Sequence, residues 1–113
     1  MHELALTRSL IDLVEREAEK QGFTRTLEIR MKLGEYSGVV PETILDLFPQ
    51  ASQGTAAEGA ALLFETLPGR FLCLSCGYEG GVERRAARCP LCGGAALKMT
   101  GGREFFIDSL KVE

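Results

Sequence analysis

Four cysteines in two close pairs constrain this chain more than any other feature. Cys73 and Cys76 form one Cys-x2-Cys pair, Cys89 and Cys92 form the other, and 12 residues separate the pairs. Two intervening residues allow a tight turn to direct both sulfurs at one ion, and two facing turns complete a tetrahedron with sulfurs about 2.3 Å from Zn²⁺. The glycine after each pair permits the positive φ that such a turn favours. Four thiolates leave no open coordination position, so we expect a structural zinc site.

Other interpretations of the pairs stay open at this stage. A thioredoxin-like redox site needs its pair at the start of a helix, whereas glycines and arginines surround these pairs. Iron or another thiophilic metal would fit the same cage. No apolar run approaches the roughly 20 residues needed to cross a bilayer, and no secretory signal is visible. We therefore expect a cytoplasmic protein without a membrane partner, where paired cysteines bind metal more often than they form disulfides.

The charge of the chain is distributed unevenly. Residues 70–103 carry six basic and two acidic residues, a net charge of +4, and the remainder carries seven and fourteen, a net charge of −7. Either the charged residues only keep the surface solvated, or the two regions present faces to two different partners. Three arginines between the pairs suggest an alternative function, a zinc-ribbon module that binds protein or nucleic acid. Tyr78 is the only aromatic residue between the pairs and the whole chain is acidic, so we expect no nucleic-acid partner.

Hydrophobic periodicity predicts the elements outside the cysteine region. Residues 3–21 are typical of an amphipathic helix, with Gly22 as its C-terminal cap. Residues 24–33 alternate like a half-buried strand, with Thr26 on the polar face. The apolar stripe of the helix comprises Leu4, Leu6, Leu10, Ile11, Leu13, Val14 and Ala18.

The remaining elements complete a predicted α+β fold. Pro41 suits the first position of a second helix, which Pro49 ends, and residues 34–38 are interpreted as a turn before it. Residues 60–67 form a second strand, and the C-terminal residues form a strand that returns to the first sheet. The prediction is two helices packed on a small mixed sheet, with an inserted four-cysteine, zinc-ribbon-like domain. Residues 1–69 plus 104–113 form the first domain, and residues 70–103 form the zinc-binding domain.

The N-terminus contains a second candidate metal site. His2 is the only histidine, and a large residue at position 2 generally prevents removal of Met1. The Met1 amine, the deprotonated His2 backbone nitrogen and His2 Nδ1 then chelate one ion in rings that favour square-planar Ni²⁺ or Cu²⁺. The Glu3 amide or carboxylate offers a fourth ligand. The first amides of a helix have no intrahelical partner, so they are free to ionise and ligate.

Taken together, these features resemble the HypA family of hydrogenase nickel-insertion metallochaperones. The resemblance covers essentially the whole chain. It rests on Met1-His2-Glu3, on Gly34-Glu35 with Ser37, on Pro41-Glu42, and on the two cysteine pairs.

The resemblance implies a nickel-binding α/β domain with a zinc domain inserted before the last strand. It implies transient Ni²⁺ binding at Met1, His2 and Glu3, and structural Zn²⁺ on Cys73, Cys76, Cys89 and Cys92. The implied partners are the GTPase HypB and the [NiFe]-hydrogenase large subunit, and urease maturation proteins for those members that serve urease.

The chain departs from the family at two points. It has Val40 where some relatives carry an acidic residue, and it has no histidine beside the zinc cysteines. No catalytic constellation is evident, so we expect a carrier rather than an enzyme. Both a monomer and a homodimer fit the sequence.

Overall fold

The computed structural model describes residues 2–113 of the chain. Met1 and the side chain of His2, both part of the predicted nickel chelate, lie outside this description. The described residues form two compact units. The helix–sheet unit comprises residues 2–32, 39–65 and 106–113, and the ribbon unit comprises residues 33–38 and 66–105.

Two helices and six strands make up the fold. Their bounds in chain order are α1 His2–Gln21, β1 Thr26–Gly34, α2 Pro41–Ala51, β2 Ala61–Leu67, β3 Arg70–Cys73, β4 Glu79–Gly80, β5 Leu97–Gly101 and β6 Phe105–Val112. Two three-stranded sheets form, with strand orders β2-β1-β6 and β4-β3-β5. The predicted fold class is confirmed: two helices, a small mixed sheet and an inserted four-cysteine region. Within residues 2–113, no helix is long and apolar enough to span a bilayer.

Helix α1 is amphipathic and buries one narrow stripe. The buried members of this stripe are Thr7, Leu10, Ile11, Val14 and Ala18. The hydroxyl of Thr7 donates to the Glu3 carbonyl oxygen over 2.6 Å, which satisfies its polar group inside the core. At the other end, Gly22 adopts φ +80° and donates to the Ala18 carbonyl oxygen over 2.8 Å, as the sequence predicts.

Helix α2 starts at Pro41 as predicted, but the prediction that Pro49 ends it is wrong. The helix continues to Ala51, and the Ser52 N–H still donates to the Phe48 carbonyl oxygen over 2.9 Å. A proline removes one intrahelical hydrogen bond, and in the last turn that loss is tolerated because few bonds follow it. Ile44 and Phe48 are the buried side chains of this helix, which packs against α1.

Strands β1 and β2 run parallel. The Thr26 N–H donates to the Ala56 carbonyl oxygen near the start of β1, and the Glu35 N–H donates to the Leu67 carbonyl oxygen after its end. Parallel neighbours need a crossover connection, and α2 supplies it. Thr26, predicted on the polar face of the strand, is buried, and its N–H is bonded to the segment that precedes β2.

The C-terminal strand β6 returns to the first sheet as predicted, and there it pairs with β1 in the antiparallel direction. The Glu113 N–H donates to the Arg25 carbonyl oxygen, and the Gly34 N–H donates to the Glu104 carbonyl oxygen. The sheet is therefore mixed, with β1 in the centre and the ribbon inserted between its two neighbours in sequence.

The ribbon unit has its own antiparallel sheet. Phe71 in β3 pairs with Gly80 in β4 and with Met99 in β5. The Tyr36 ring meets the Phe71 ring edge-on, with centroids 5.8 Å apart. Packing here is modest, so the sheet needs a further source of stability.

Candidate metal centre

The first cysteine pair lies on a tight turn at the end of β3. The Cys73 N–H donates to the Tyr78 carbonyl oxygen over 2.8 Å, and the Gly77 N–H donates back to the Cys73 carbonyl oxygen over 2.9 Å. Gly77 has φ +81°, a conformation in which a Cβ is disfavoured. The turn therefore holds Cys73 and Cys76 on the same side of the chain.

The second pair repeats this arrangement. The Cys89 N–H donates to the Gly94 carbonyl oxygen over 2.8 Å, and the Gly93 N–H donates to the Cys89 carbonyl oxygen over 2.9 Å. Gly93 has φ +75°. The sequence pseudo-repeat is thus a structural one, and neither pair opens a helix as a thioredoxin-like site would.

The four sulfurs of the two turns converge. All four Sγ atoms lie within 4.8 Å of one another, with Cys73 and Cys92 3.7 Å apart and Cys76 and Cys89 3.6 Å apart. Sulfurs placed about 2.3 Å from a tetrahedral zinc ion lie about 3.8 Å from one another, whereas a disulfide requires about 2.05 Å. The spacing of the sulfurs therefore fits a four-coordinate thiophilic ion.

Backbone amides surround this cluster. The N–H groups of Leu91 and Cys92 each donate to Cys89 Sγ over 3.4 Å. The Gly94 N–H donates to Cys92 Sγ over 3.4 Å. Amide hydrogen bonds stabilise thiolates over thiols, and the thiolate is the form that binds metal.

Other backbone amides shift the pKa values of the first pair. N–H groups of Cys76 and Ser75 lower the pKa of the Cys73 thiol to about 7. The Tyr78 amide also lowers the pKa of Cys76, but desolvation and the three neighbouring sulfurs outweigh it and raise that pKa to about 12. The opposite shifts of these two neighbouring thiols reflect the cost of placing several negative charges close together. A divalent cation at the centre would relieve this repulsion.

Two of the three arginines between the pairs have partners within the ribbon unit. Arg88 Nη1 donates to the Gly93 carbonyl oxygen over 3.3 Å, and the Arg84 guanidinium lies 4.6 Å from the centre of the Tyr36 ring. Both side chains therefore support the ribbon itself, which weakens the interpretation of this region as a phosphate-binding surface.

Of the three predicted nickel ligands, the structure describes the side chain of Glu3 alone. Its Oε2 accepts a hydrogen bond from the Val40 N–H over 3.4 Å, which links the first turn of α1 to the start of α2. The Glu3 and Val40 backbone N–H groups lower the pKa of the Glu3 carboxyl group. Glu3 thus remains anionic beside Val40, the position at which some relatives carry an acidic side chain.

Sequence reasoning missed a structural role for residues 34–36, which it interpreted as a simple turn. These residues meet both connections of the ribbon, and we name this region the junction. Glu35 Oε1 accepts a hydrogen bond from the Gly69 N–H over 2.8 Å, and the Tyr36 N–H donates to the Gly102 carbonyl oxygen over 2.6 Å. The Glu35 carboxylate therefore helps to hold the junction together.

Backbones approach so closely at the junction that side chains would not fit. A Cβ on Gly34 would lie 2.2 Å from the Gly102 carbonyl oxygen, and one on Gly69 would lie 2.3 Å from the Tyr36 ring. Glycines flank the cysteine region in the sequence, Gly69 before it and Gly101-Gly102 after it, and they are a signal of such close approach. Their partner at residue 34 could not be deduced from one sequence, because the contact is a tertiary one.

The chain combines a mixed α+β unit with an inserted ribbon in which four sulfurs converge. This combination defines a class of metal-binding proteins that carry an inserted zinc-ribbon-like region. Sequence comparison identifies the particular family. Residues 1–112 match HypA, described as "Hydrogenase/urease nickel incorporation, metallochaperone, hypA". The chain belongs to the HypA family.

Relatives and solved structures agree with this assignment. The chain is 39% identical to the hydrogenase maturation factor HypA of Cereibacter sphaeroides and 40% identical to that of Methylocella silvestris, each over 113 residues and all of both chains. The fold is similar to one described as the solution structure of HypA protein, with a TM-score of 0.77 and 22% identity over 100% of this chain and 97% of that one. The solution structure of the Ni metallochaperone HypA from Helicobacter pylori gives a TM-score of 0.72 and 20% identity, covering 97% and 96%.

Proposed function

We propose that this protein is a nickel carrier, not an enzyme, that acts in the cytoplasm during maturation of [NiFe]-hydrogenase. Family membership over residues 1–112 is the observation on which the proposal depends. In this proposal, Ni²⁺ is a cargo bound transiently by the Met1 amine, the His2 backbone nitrogen and imidazole, and Glu3. The partners follow from the family resemblance: the GTPase HypB, the hydrogenase large subunit as the acceptor of nickel and, where urease is served, its maturation proteins.

We further propose that Cys73, Cys76, Cys89 and Cys92 hold one structural Zn²⁺ ion. The sulfur spacings of 3.6 and 3.7 Å and the amide hydrogen bonds to sulfur support this assignment. Four thiolates would occupy every position on the ion, so zinc would order the ribbon without binding a substrate. Residues 70–103 would then be the zinc-binding domain, and residues 1–69 plus 104–113 the nickel-binding domain.

The placement of the proposed nickel ligands suits release as well as binding. Helix α1 begins at His2, so the chelate involves amides of the first helical turn, which lack intrahelical acceptors. Ligands at a chain terminus can be exchanged one at a time for those of an acceptor, whereas an enclosed cage would retain the ion.

Metal analysis of the purified protein tests both sites together. We expect one zinc and one nickel per chain in the wild type, and one zinc without nickel in His2→Ala. Glu3→Gln is the matched comparison, because it removes the carboxylate but keeps the Glu3 amide. Retention of nickel by His2→Ala at wild-type affinity would exclude the proposed chelate.

Titration calorimetry at several pH values provides a second test. Unperturbed α-amines titrate near 7.7–8.0 and imidazole near 6.5. Protons therefore compete with Ni²⁺ at both groups, and affinity should fall as the pH decreases from about 7.5 to 6. A constant affinity across this interval would rule out the amine and imidazole as ligands.

A further inference from the structure

The two turns that hold the cysteines expose two leucines. Leu74 is 65% exposed and Leu91 is 73% exposed, and every other exposed large apolar side chain among the described residues lies below 50%. Leu74 follows Cys73, and Leu91 precedes Cys92. Because the four sulfurs lie within 4.8 Å of one another, both leucines lie at the metal end of the ribbon. We name this pair the leucine tip.

The fold gives no reason for leucine at these positions. The backbone of Leu74 donates to the Ala96 carbonyl oxygen, and the backbone of Leu91 donates to Cys89 Sγ, so both turns are built by main-chain groups. Exposed side chains contribute little to stability, and any polar residue could replace them there. Single exposed leucines are ordinary on a protein surface, but these two are the most exposed of the described large apolar side chains and flank one cysteine cluster, which makes them a candidate interaction site.

The electrostatic surroundings of the tip indicate what it binds. Residues 70–103 have a net charge of +4. Four thiolates with one divalent ion would contribute a charge of −2, so the region stays basic with its metal in place. Arg88 is held at the second turn by its hydrogen bond to the Gly93 carbonyl oxygen, which places positive charge beside Leu91. A complementary partner surface is acidic with apolar pockets.

We propose that the leucine tip docks into an acidic, apolar groove of a protein partner that takes part in nickel transfer. The inference rests on the proposed carrier function and adds the surface by which the carrier engages its partner. Two leucines and their rim bury far less than the roughly 1,200–2,000 Å² of a stable interface, so the contact is transient. A short-lived contact suits a carrier that must dissociate after delivery, and it is too small to hold two copies of this chain together.

Binding measurements with purified partners test the tip. The probes are HypB and the hydrogenase large subunit, each titrated against the zinc- and nickel-loaded full chain by biolayer interferometry. We expect Leu74→Ser and Leu91→Ser each to weaken binding of one probe about ten-fold, and the double variant about a hundred-fold. Leu63→Ser is the matched control, because Leu63 is a 41% exposed leucine on β2 and should leave binding unchanged. Raising the salt concentration should weaken binding of the wild type.

Metal stoichiometry separates this inference from the proposed function. The double variant should still bind one zinc and one nickel; if the wild type binds no nickel, the carrier function itself fails. Unchanged affinity of the double variant for both probes, or no association of the wild type with either, would overturn the leucine tip. So would binding lost equally in Leu63→Ser.

Binding of the leucine tip to a second copy of the chain, a membrane or a nucleic acid would be detected by separate measurements. Sedimentation velocity of the wild type should show no association that the double variant lacks. Vesicles of anionic phospholipid and a mixed single-stranded oligonucleotide should not bind in a leucine-dependent way. A leucine-dependent dimer, vesicle complex or oligonucleotide complex would replace the proposal.

Discussion

In the helix–sheet unit, apolar side chains from both helices and from β1 fill a shared interior, whereas the ribbon unit has almost no interior of this kind. Among the described residues of the ribbon unit, Leu33 at the end of β1 and the two cysteines Cys73 and Cys89 are the buried apolar side chains. The first unit is therefore stabilised by hydrophobic burial, whereas the second would depend on the proposed metal ion. A small insertion can fold without a core of its own when a metal supplies the missing free energy.

Removal of the proposed zinc should show the difference between the two units most clearly. Structural zinc contributes about 10–16 kcal/mol in small zinc domains, more than a ribbon of this size can replace. We expect Cys73→Ser, or a strong chelator, to abolish amide protection across residues 70–103 while α1 and β1 keep theirs. Hydrogen exchange followed by NMR measures both units at once.

Ser75→Ala provides the matched control in the same turn, because the Ser75 side chain is not one of the four clustered ligands. It should bind zinc and protect the ribbon as the wild type does. Full protection of residues 70–103 in zinc-free protein would show that the metal is dispensable.

A cavity in the core of the helix–sheet unit should destabilise that unit and leave zinc binding by the ribbon unit unchanged. Ile29 is completely buried, and Ile29→Ala should cost about 3 kcal/mol of the free energy of unfolding of the helix–sheet unit. Zinc content should stay at one per chain, because the cysteines lie in the other unit. Urea denaturation gives the free energy, with Val112→Ala on the exposed edge strand as the control. A loss of zinc in Ile29→Ala would mean that the units do not fold independently.

The junction offers a test within the ribbon unit. Gly34→Ala should destabilise it by about 2 kcal/mol, because the new Cβ would meet the Gly102 carbonyl oxygen at 2.2 Å and neither backbone can yield easily. Gly81→Ala is the control, since its Cβ would have no neighbour within 4 Å. Thermal unfolding of both variants measures the difference, and equal melting temperatures would show that the close approach is unimportant.

The smallest effect is expected at the surface of the helix–sheet unit. A hydrogen bond to the Glu65 carboxylate raises the pKa of Lys32, and most of the Glu65 side chain is in solvent. Glu65→Gln should lower the free energy of unfolding only slightly, because solvent screens an ion pair at the surface. A raised lysine pKa stabilises the fold below the unfolded value, and the contribution is lost as the pH rises through the folded value.

The difference in free energy of unfolding between Glu65→Gln and wild type should therefore be constant at neutral pH. It should decrease above the ordinary lysine pKa of about 10.4 and vanish above the raised pKa of Lys32. Urea denaturation in a double-mutant cycle with Lys32→Gln measures the coupling. A coupling free energy that grows at high pH would contradict the assignment.

Most of the fold could be predicted because its signals are local. Alternation in the first strand and Pro41 at a helix start are each decided by near neighbours in sequence. The periodicity predicts α1 to within one residue of its observed length but overestimates its apolar face: Leu13 is 48% exposed and Thr7 is fully buried. The seven apolar positions span about 180° of the helix. Only packing decides which of them face the core.

The candidate site likewise has one part that the sequence predicts and another that it does not. The spacing of the cysteines predicts their convergence, and the four sulfurs do meet in the structure. The junction could not be anticipated, because its hydrogen bonds join residues 34–36 to Gly69 and Gly102, far apart in sequence. Glycines needed for a tertiary approach look the same in sequence as glycines needed for a turn.

The late position of β6 in the chain has a consequence for synthesis. About 45 residues separate the end of β2 from the end of β6, and translation at about 5–20 residues per second takes roughly 2–9 s to add them. All four cysteines are added during that interval, and the nascent sheet lacks one edge until it ends. A chain that binds the proposed zinc would therefore have time to capture the ion between the synthesis of Cys92 and the pairing of the last strand.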